Sequence, residues 1–398
     1  MVIFEKSSRV GGKCYDINYR GTPHAQGANF LEANYFNNDS LVPFLEEYGL
    51  ADLVPVPPTD FWITNSARDP GSNLTRAQYL LSAASKLTNS TSLEVNTGFF
   101  LNALIKYIQV HKELFGLYEG DLMQRPTAEV MHRIRGTLMD FLKREDLLAM
   151  VPIFDGTQTL AGYGHLDEIA ALYGLLWHNP RLVLTAALAA LKQSSKPFGM
   201  FSLKYGYEHI WKTIAMKEKL NIHFQTDIVS IKKERNSVHL KTWQNFEAKT
   251  EVCDFLIWTP EASQFIRTVE NPSEEENRLL ATLRPEVYYA HLINVEGGIR
   301  HSPTTAYMAN VLSKEEEYAV TWTADMAGLL TPGITAPGGI EKYNEGTGLR
   351  TLYALHAPAK HHTSETFLKE KMRNHLMKGF NVTSVEFLNT IAHPYLPR

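Results

Sequence analysis

The segment Val2-Ile-Phe-Glu5-Lys-Ser-Ser-Arg9-Val-Gly11-Gly12-Lys13 constrains the fold more than any other stretch of this chain. A short apolar run that ends on an acid reads as a strand over residues 2–5, with Glu5 at its tip. In a Rossmann-type βαβ unit, an acid at that place accepts hydrogen bonds from the ribose hydroxyls of a dinucleotide. The residues that follow suit a diphosphate: Arg9 supplies a fixed cationic fork, and Gly11 and Gly12 let backbone N–H groups come close. A plain surface turn after a strand is the competing reading.

Composition narrows the function. The chain has 398 residues, room for two to three domains, and its 44% hydrophobic and 21% charged content excludes disordered, collagen-like and coiled-coil chains. A net charge of −4 argues against general nucleic-acid binding, which needs many cations to neutralise phosphates. Two cysteines, Cys14 and Cys253, cannot build a disulfide framework or a cysteine-only zinc site. The longest apolar stretch, residues 169–191, is interrupted by His178-Asn179-Pro180-Arg181, so it predicts two helices and no transmembrane segment. The first residues lack the signal-peptide pattern, while sequons at Asn38, Asn73, Asn89 and Asn381 keep a secretory origin open and leave localisation undecided.

The pattern changes character along the chain. A short helix is expected from Ser40 to Gly49, and the proline-rich residues 53–60 cannot be helical. Residues 96–192 carry helical spacing: Phe100, Leu104, Tyr107 and Ile108, then Val130 through Leu142 after a Thr127 N-cap, then a helix opened by Asp167 and running to Tyr173. A helix over 207–220 precedes strands at 222–224, 228–231 and 238–243, and Phe255-Leu-Ile-Trp258 reads as a buried strand stopped by Pro260. Further strands are expected at 287–295, 319–324 and 351–356, and a last helix at 364–378.

The order Glu-x3-Arg-x-Gly-Gly-Lys, then Gly21, then His24-Ala-Gln-Gly27-Ala28-Asn29 resembles the second strand and flavin-approach loop of FAD-dependent amine-oxidase-like flavoproteins. The segments 215–224, 228–231 and 253–260 resemble that family's helix, adenine-side strand and return strand. The resemblance implies an α/β fold with an FAD/NAD(P)-binding Rossmann-like domain and a largely helical, partly β substrate domain. It places the FAD-binding domain in residues 1–60 plus 200–265 and the substrate domain in 61–199 plus 266–398. On it, Glu5 holds the adenosine ribose, Arg9, Gly11 and Gly12, followed by Lys13, hold the diphosphate, and the backbone of Ile228 meets the adenine. Gly27 and Ala28 lie near the isoalloxazine. No catalytic side chain and no metal site is implied.

Within the helical block, Thr159-Leu-Ala-Gly162-Tyr163-Gly164-His165 and Glu168-Ile-Ala-Ala-Leu-Tyr173 are most similar to the polyunsaturated fatty acid isomerase branch. That implies a hydrophobic small-molecule substrate. The family's Gly-x-Gly-x-x-Gly strand and helix would precede Glu5, and its final Gly-Asp segment would follow Arg398; neither is in this sequence, so truncation and weak FAD affinity are expected. Residues 284–294 hold no lysine where many amine oxidases carry one, which lowers amine oxidation and leaves hydride abstraction from carbon. Three readings stay open: an oxidoreductase passing hydride to flavin N5, a flavin-dependent double-bond isomerase, and a truncated non-catalytic lipid-binding or interaction remnant.

Other candidates carry less. His356, His361 and His362 lie beside Lys360, which opposes a cation, so a solvated loop is the expected reading. Cys14 could act as a nucleophile or attach flavin, although a buried, inert thiol is commoner. Tyr205, Tyr207, Tyr288 and Tyr289 serve a core or a pocket wall equally well.

Overall fold

The protein is described by a computed structural model covering residues 1–19, 21–28, 31–32, 41–55, 60–64, 72–116, 125–159, 165–191, 200–280, 283, 285–297, 304–309, 319–324, 347–355, 365–380 and 382–397. It is a mixed α/β structure, as the sequence implies. Strand β1 (Ile3–Phe4) lies parallel to β9 (Ile222–His223), and the hairpin β2 (Asp16–Tyr19) and β3 (Thr22–Ala25) follows β1 in the chain. A meander of β10 (Asp227–Lys233), β11 (Val238–Gln244) and β12 (Glu247–Cys253) packs its inner residues Ile231 and Leu240 against Phe4, Phe265 and Val269. Small strands β4 (Leu31–Glu32) and β5 (Leu53–Pro55) flank β8 (Met200–Leu203).

A seven-stranded sheet gathers chain from both halves of the sequence. Its order is β17 (Val382–Pro397), β13 (Pro285–Gly297), β16 (Thr347–Leu355), β15 (Ala319–Ala324), β14 (Thr304–Ala309), β6 (Asp60–Thr64) and β7 (Ser72–Leu74). The main apolar core sits in the helical block. Helix Leu93–Phe115 buries Phe100, Leu104, Tyr107 and Leu114 along one face, as the spacing requires, and packs on Phe141, Leu142 and Phe154. Ser92 caps it at the N-terminus, and Thr75 with Gln78 forms a full capping box on helix Arg76–Thr88. Helices Ala171–Trp177 and Pro180–Ala190 are the two expected halves of the apolar stretch, separated by Asn179 as N-cap. Among the described residues, no helix is long and apolar enough to cross a membrane.

Three expectations need correction. The helix after Thr127 is two, Ala128–Arg133 and Leu138–Arg144, because Gly136 turns the chain at φ +91° and Thr137 starts a second capping box with Asp140. Asp167 and Glu168 lie in a turn, and the helix begins at Ala171. Residues 255–258 form no ladder with any described strand: Phe255 and Ile257 are 74% and 71% exposed, while Leu256 and Trp258 face the meander core. Gly162, Tyr163, Gly164, His356, His361, His362, Asn38 and Asn381 lie outside the described residues.

Candidate functional site

Strand β1 delivers Glu5. Its two paired residues are extended by hydrogen bonds from Ile3 N to Asn221 O and from Glu5 N to His223 O, both 2.9 Å, and Phe4 meets the His223 ring edge-on. Past Glu5 the chain is pinned again, by Thr226 N to Glu5 O at 3.0 Å and Gln225 N to Ser7 O at 2.9 Å. Lys6 Nζ also pairs with Asp227 Oδ2 at 3.0 Å. These bonds bring Glu5 beside the start of β10, where Ile228 stands opposite Thr242 just before a slip in the ladder. The Ile228 side chain turns into the meander core, so its backbone is the part left to meet a ligand. Glu5 Oε1 accepts from Ser7 N and lies 2.7 Å from Ser7 Oγ; Oε2 has no hydrogen-bond partner among the described residues. One carboxylate oxygen thus orients the group and the other is left for a donor such as a sugar hydroxyl.

Arg9 builds the loop that follows. Its guanidinium donates to the carbonyls of Val10 (3.0 Å), Cys14 (3.2 Å) and Gly12 (2.7 Å), and it stacks 4.2 Å from the centre of the Tyr15 ring. Three of five N–H groups are therefore committed to backbone, a shaping role that the sequence reading did not include. Gly11 adopts φ +104° and Gly12 φ +51°, conformations that favour glycine. A Cβ on Gly11 would also stand 2.7 Å from Cys14 O and 3.3 Å from Trp211 Cδ1. Burial pushes the Cys14 thiol up despite a bond from Trp211, which disfavours the thiolate that nucleophilic attack needs. Burial also lowers the Lys13 ammonium, and the charge of Glu261 offsets part of that.

The hairpin β2–β3 returns the chain to Lys13. Gln26 N donates to Tyr15 O at 2.7 Å and Ala28 N to Lys13 O at 3.1 Å. Between them, Gly27 approaches so closely that a Cβ would fall 1.7 Å from Lys13 O and 3.6 Å from His393 Nε2. His393, on β17, donates Nε2–H to the Gln26 carbonyl, since a carbonyl can only accept. Burial, and to a lesser extent the charges of Lys13 and Arg9, hold His393 below its ordinary range, so the ring is neutral. Gln26 is fully buried; its amide donates to Ala25 O at 3.2 Å, and its Oε1 has no partner among the described residues. Such an orphaned acceptor is a place for a ligand N–H.

An acid pair, Glu208 buried and Asp16 partly buried, anchors the hairpin. Asp16 N donates to Glu208 Oε2 at 3.1 Å, and Glu208 N donates to Asp16 Oδ2 at 2.7 Å, with Lys212 on the far oxygen of Glu208 at 2.9 Å. Burial first, and Glu208 beside it, raise the Asp16 carboxyl to about 6. Gly206 permits the approach: at φ +81°, a Cβ there would stand 2.3 Å from Asp16 Oδ2.

The sequence-predicted residues Glu5, Arg9, Gly11, Gly12, Lys13, Gly27, Ala28 and Ile228 thus form one connected series through β1, its loop, the hairpin and β10. Sequence reasoning missed Gln26 as an acceptor, the Asp16–Glu208 clasp and His393. Gly206 ahead of an acid at a helix start was the available signal for the clasp; nothing local marks His393. Among the described residues no group of metal-ligating side chains occurs. Elsewhere, Arg76, Tyr79, Ile153, Thr157 and Ala186 line a cavity of about 30 Å³ in the helical block, room for water rather than an organic substrate.

Comparison with known proteins gives these positions a context. A family model described as flavin containing amine oxidoreductase matches residues 1–268. No curated protein matches by sequence. A fatty acid isomerase from P. acnes that produces CLA superposes with a TM-score of 0.68 at 14% identity, over 100% of this chain and 80% of that one. A wild-type putrescine oxidase bound to putrescine gives 0.58 at 13% identity, over 98% and 79%. A protein from Exiguobacterium sp. 255-15, provisionally described as a protoporphyrinogen oxidase, gives 0.62 at 16%, over 100% and 81%.

Proposed function

Since the chain belongs to the flavin containing amine oxidoreductase family, we propose that it holds FAD along the series from Glu5 to Gly27 and acts on a hydrophobic small molecule by hydride removal from carbon. The observation that carries this reading is the contact between Gly27 and the Lys13 carbonyl, which joins the loop expected to hold the diphosphate to the loop expected to flank the isoalloxazine. A flavin bound there supplies an electron-pair acceptor at N5, which no protein side chain can offer.

The protein's own part is binding and orientation. Glu5 accepts from the ribose through Oε2 while Ser7 fixes Oε1. Arg9 holds Val10, Gly12 and Cys14 in place, so that Gly11 and Gly12 present backbone to the diphosphate with no Cβ in the way. The Ile228 backbone meets the adenine, and Gln26 Oε1 accepts an N–H of the ring system. His393, kept neutral, holds the Gln26 carbonyl without adding a charge.

A double-bond isomerase acting on a polyunsaturated fatty acid is the second reading, favoured by the similarity to the isomerase over the whole chain. Both are tested together. Titrating FAD into the purified chain with fluorescence detection measures affinity, and Glu5→Ala is expected to weaken it about tenfold or more, the loss of a charge-assisted hydrogen bond. Hydrogen peroxide release then marks an oxidase, and a shift in polyene absorbance without net oxidation marks an isomerase. Failure of the native chain to bind FAD, or equal affinity in the Glu5→Ala variant, refutes the assignment of the site.

A further inference from the structure

The meander ends on an open edge. Among the described residues, β12 pairs with β11 alone, and six of its seven residues, Glu247 to Val252, are exposed. Such a row of unpaired backbone N–H and C=O groups is a template for another strand, and natural edges are usually blunted by charge. Here the charges alternate in sign along the strand: Glu247, Lys249 and Glu251.

That alternation selects a partner. Two copies of one edge strand related by a twofold axis normal to the sheet pair antiparallel, and they keep their inner and outer faces only in registers whose paired residue numbers sum to an even value. Centring on Thr250 sets Lys249 of each copy opposite Glu251 of the other, Ala248 opposite Val252, and Thr250 opposite itself. A shift by two residues in one direction sets Lys249 against Lys249 and Glu247 against Glu251. The other direction sets Glu251 against Glu251. The registers on either side oppose like charges, and centring on Ala248, which again sets Glu247 opposite Lys249 twice, pairs only residues 247–249 within the strand; the Thr250 register alone joins opposite charges twice and engages all seven residues.

The outer face continues the match. Ala248 and Val252 register with Trp243 and His239 on β11, and Val252 and Trp243 are 60% and 46% exposed. In the joined sheet the Ala248–Val252 contacts cover part of this apolar surface. We propose that Glu247–Cys253 is a homotypic docking edge through which two copies of this chain form a continuous six-stranded sheet centred on Thr250. A seven-residue edge buries less than a standard stable interface, so the dimer is weak and depends on concentration.

Sedimentation velocity on the full chain, up to roughly 0.1 mM, reads the equilibrium. The native chain is expected to show a reversible dimer. Lys249→Glu, which opposes like charges at both crossings, is expected to weaken it about tenfold or more, and adding Glu251→Lys restores it by reversing both pairs. Under mild oxidation Thr250→Cys is expected to cross-link two chains, because directly opposed Cα atoms lie about 4.5–5.5 Å apart, within disulfide range. Lys249→Cys and the native chain, which carries Cys253 in the same strand, are not expected to cross-link. A chain that stays monomeric, a dimer indifferent to Lys249→Glu, or cross-linking of Lys249→Cys as readily as Thr250→Cys overturns the proposal.

Discussion

Adding one methyl group at Gly27 tests the contact on which the site depends. The Gly27 backbone needs no left-handed conformation, so alanine is excluded there by space alone. Its Cβ would lie 1.7 Å from Lys13 O and 2.9 Å from Lys13 C, both backbone atoms that cannot rotate away. Reaching an ordinary contact of about 3.4 Å requires the two loops to part by ~1.7 Å. That breaks the bonds from Ala28 N to Lys13 O and from Gln26 N to Tyr15 O. Overpacking of this kind costs about 1–3 kcal/mol, and two lost backbone hydrogen bonds add about 0.5–1.5 kcal/mol each. Gly27→Ala is therefore expected to destabilise the fold by about 2–6 kcal/mol, a large part of a typical folding free energy of about 5–15 kcal/mol. Urea unfolding followed by tryptophan fluorescence suits the purpose, since Trp211 sits against Gly11. A variant that unfolds at the native urea midpoint and binds FAD as the native chain does would show that the two loops are not in contact.

Gly98, exposed in helix Leu93–Phe115 with open space around it, gives the opposite sign: Gly98→Ala is expected to stabilise by about 0.5–1 kcal/mol in the same urea assay, and a destabilised variant contradicts the helix assignment. Asp16, raised to about 6, binds its proton more tightly folded than unfolded, so its contribution to stability falls as pH rises from about 4 through about 6. The loss is on the order of 3 kcal/mol, and Asp16→Asn should remove it from a pH series of urea midpoints; an unchanged series rules the burial argument out. His178, fully buried and lowered to about 4 by that burial, donates from Nδ1 to Gly174 O and meets Thr157 through Nε2. It should stay neutral between pH 5 and 8, and its contribution is lost as pH falls from about 6.5 through about 4. NMR titration of its ring protons checks this, and an ordinary midpoint near 6.5 would contradict it.

What the sequence disclosed is what short-range pattern encodes. Glu5 through Gly12 are readable because strand, acid, arginine and glycines are neighbours, and Gly27 follows within one hairpin. Helix Leu93–Phe115 is readable because its buried residues recur on one face. The break at Gly136 was hidden because apolar spacing runs on through it, and only the Thr137–Asp140 capping box marks the new start. Phe255-Leu-Ile-Trp258 shows the reverse error: an apolar run looks like a buried strand, yet burial belongs to the neighbours that pair with it. Strand β12, where charged Glu247, Lys249 and Glu251 outweigh the small apolar Ala248 and Val252, carries only a weak apolar signal and escaped notice for that reason. The Asp16–Glu208 clasp spans 192 positions, a separation at which no periodicity speaks.

The bond between His393 and the Gln26 carbonyl joins residues 367 positions apart. On a ribosome adding roughly 5–20 residues per second, the loop made first waits about 20–70 s for the histidine that fastens it. During that interval the nascent hairpin must be kept from wrong associations by its own turns or by a chaperone, and any cofactor that depends on the loop can be captured only after His393 has been made.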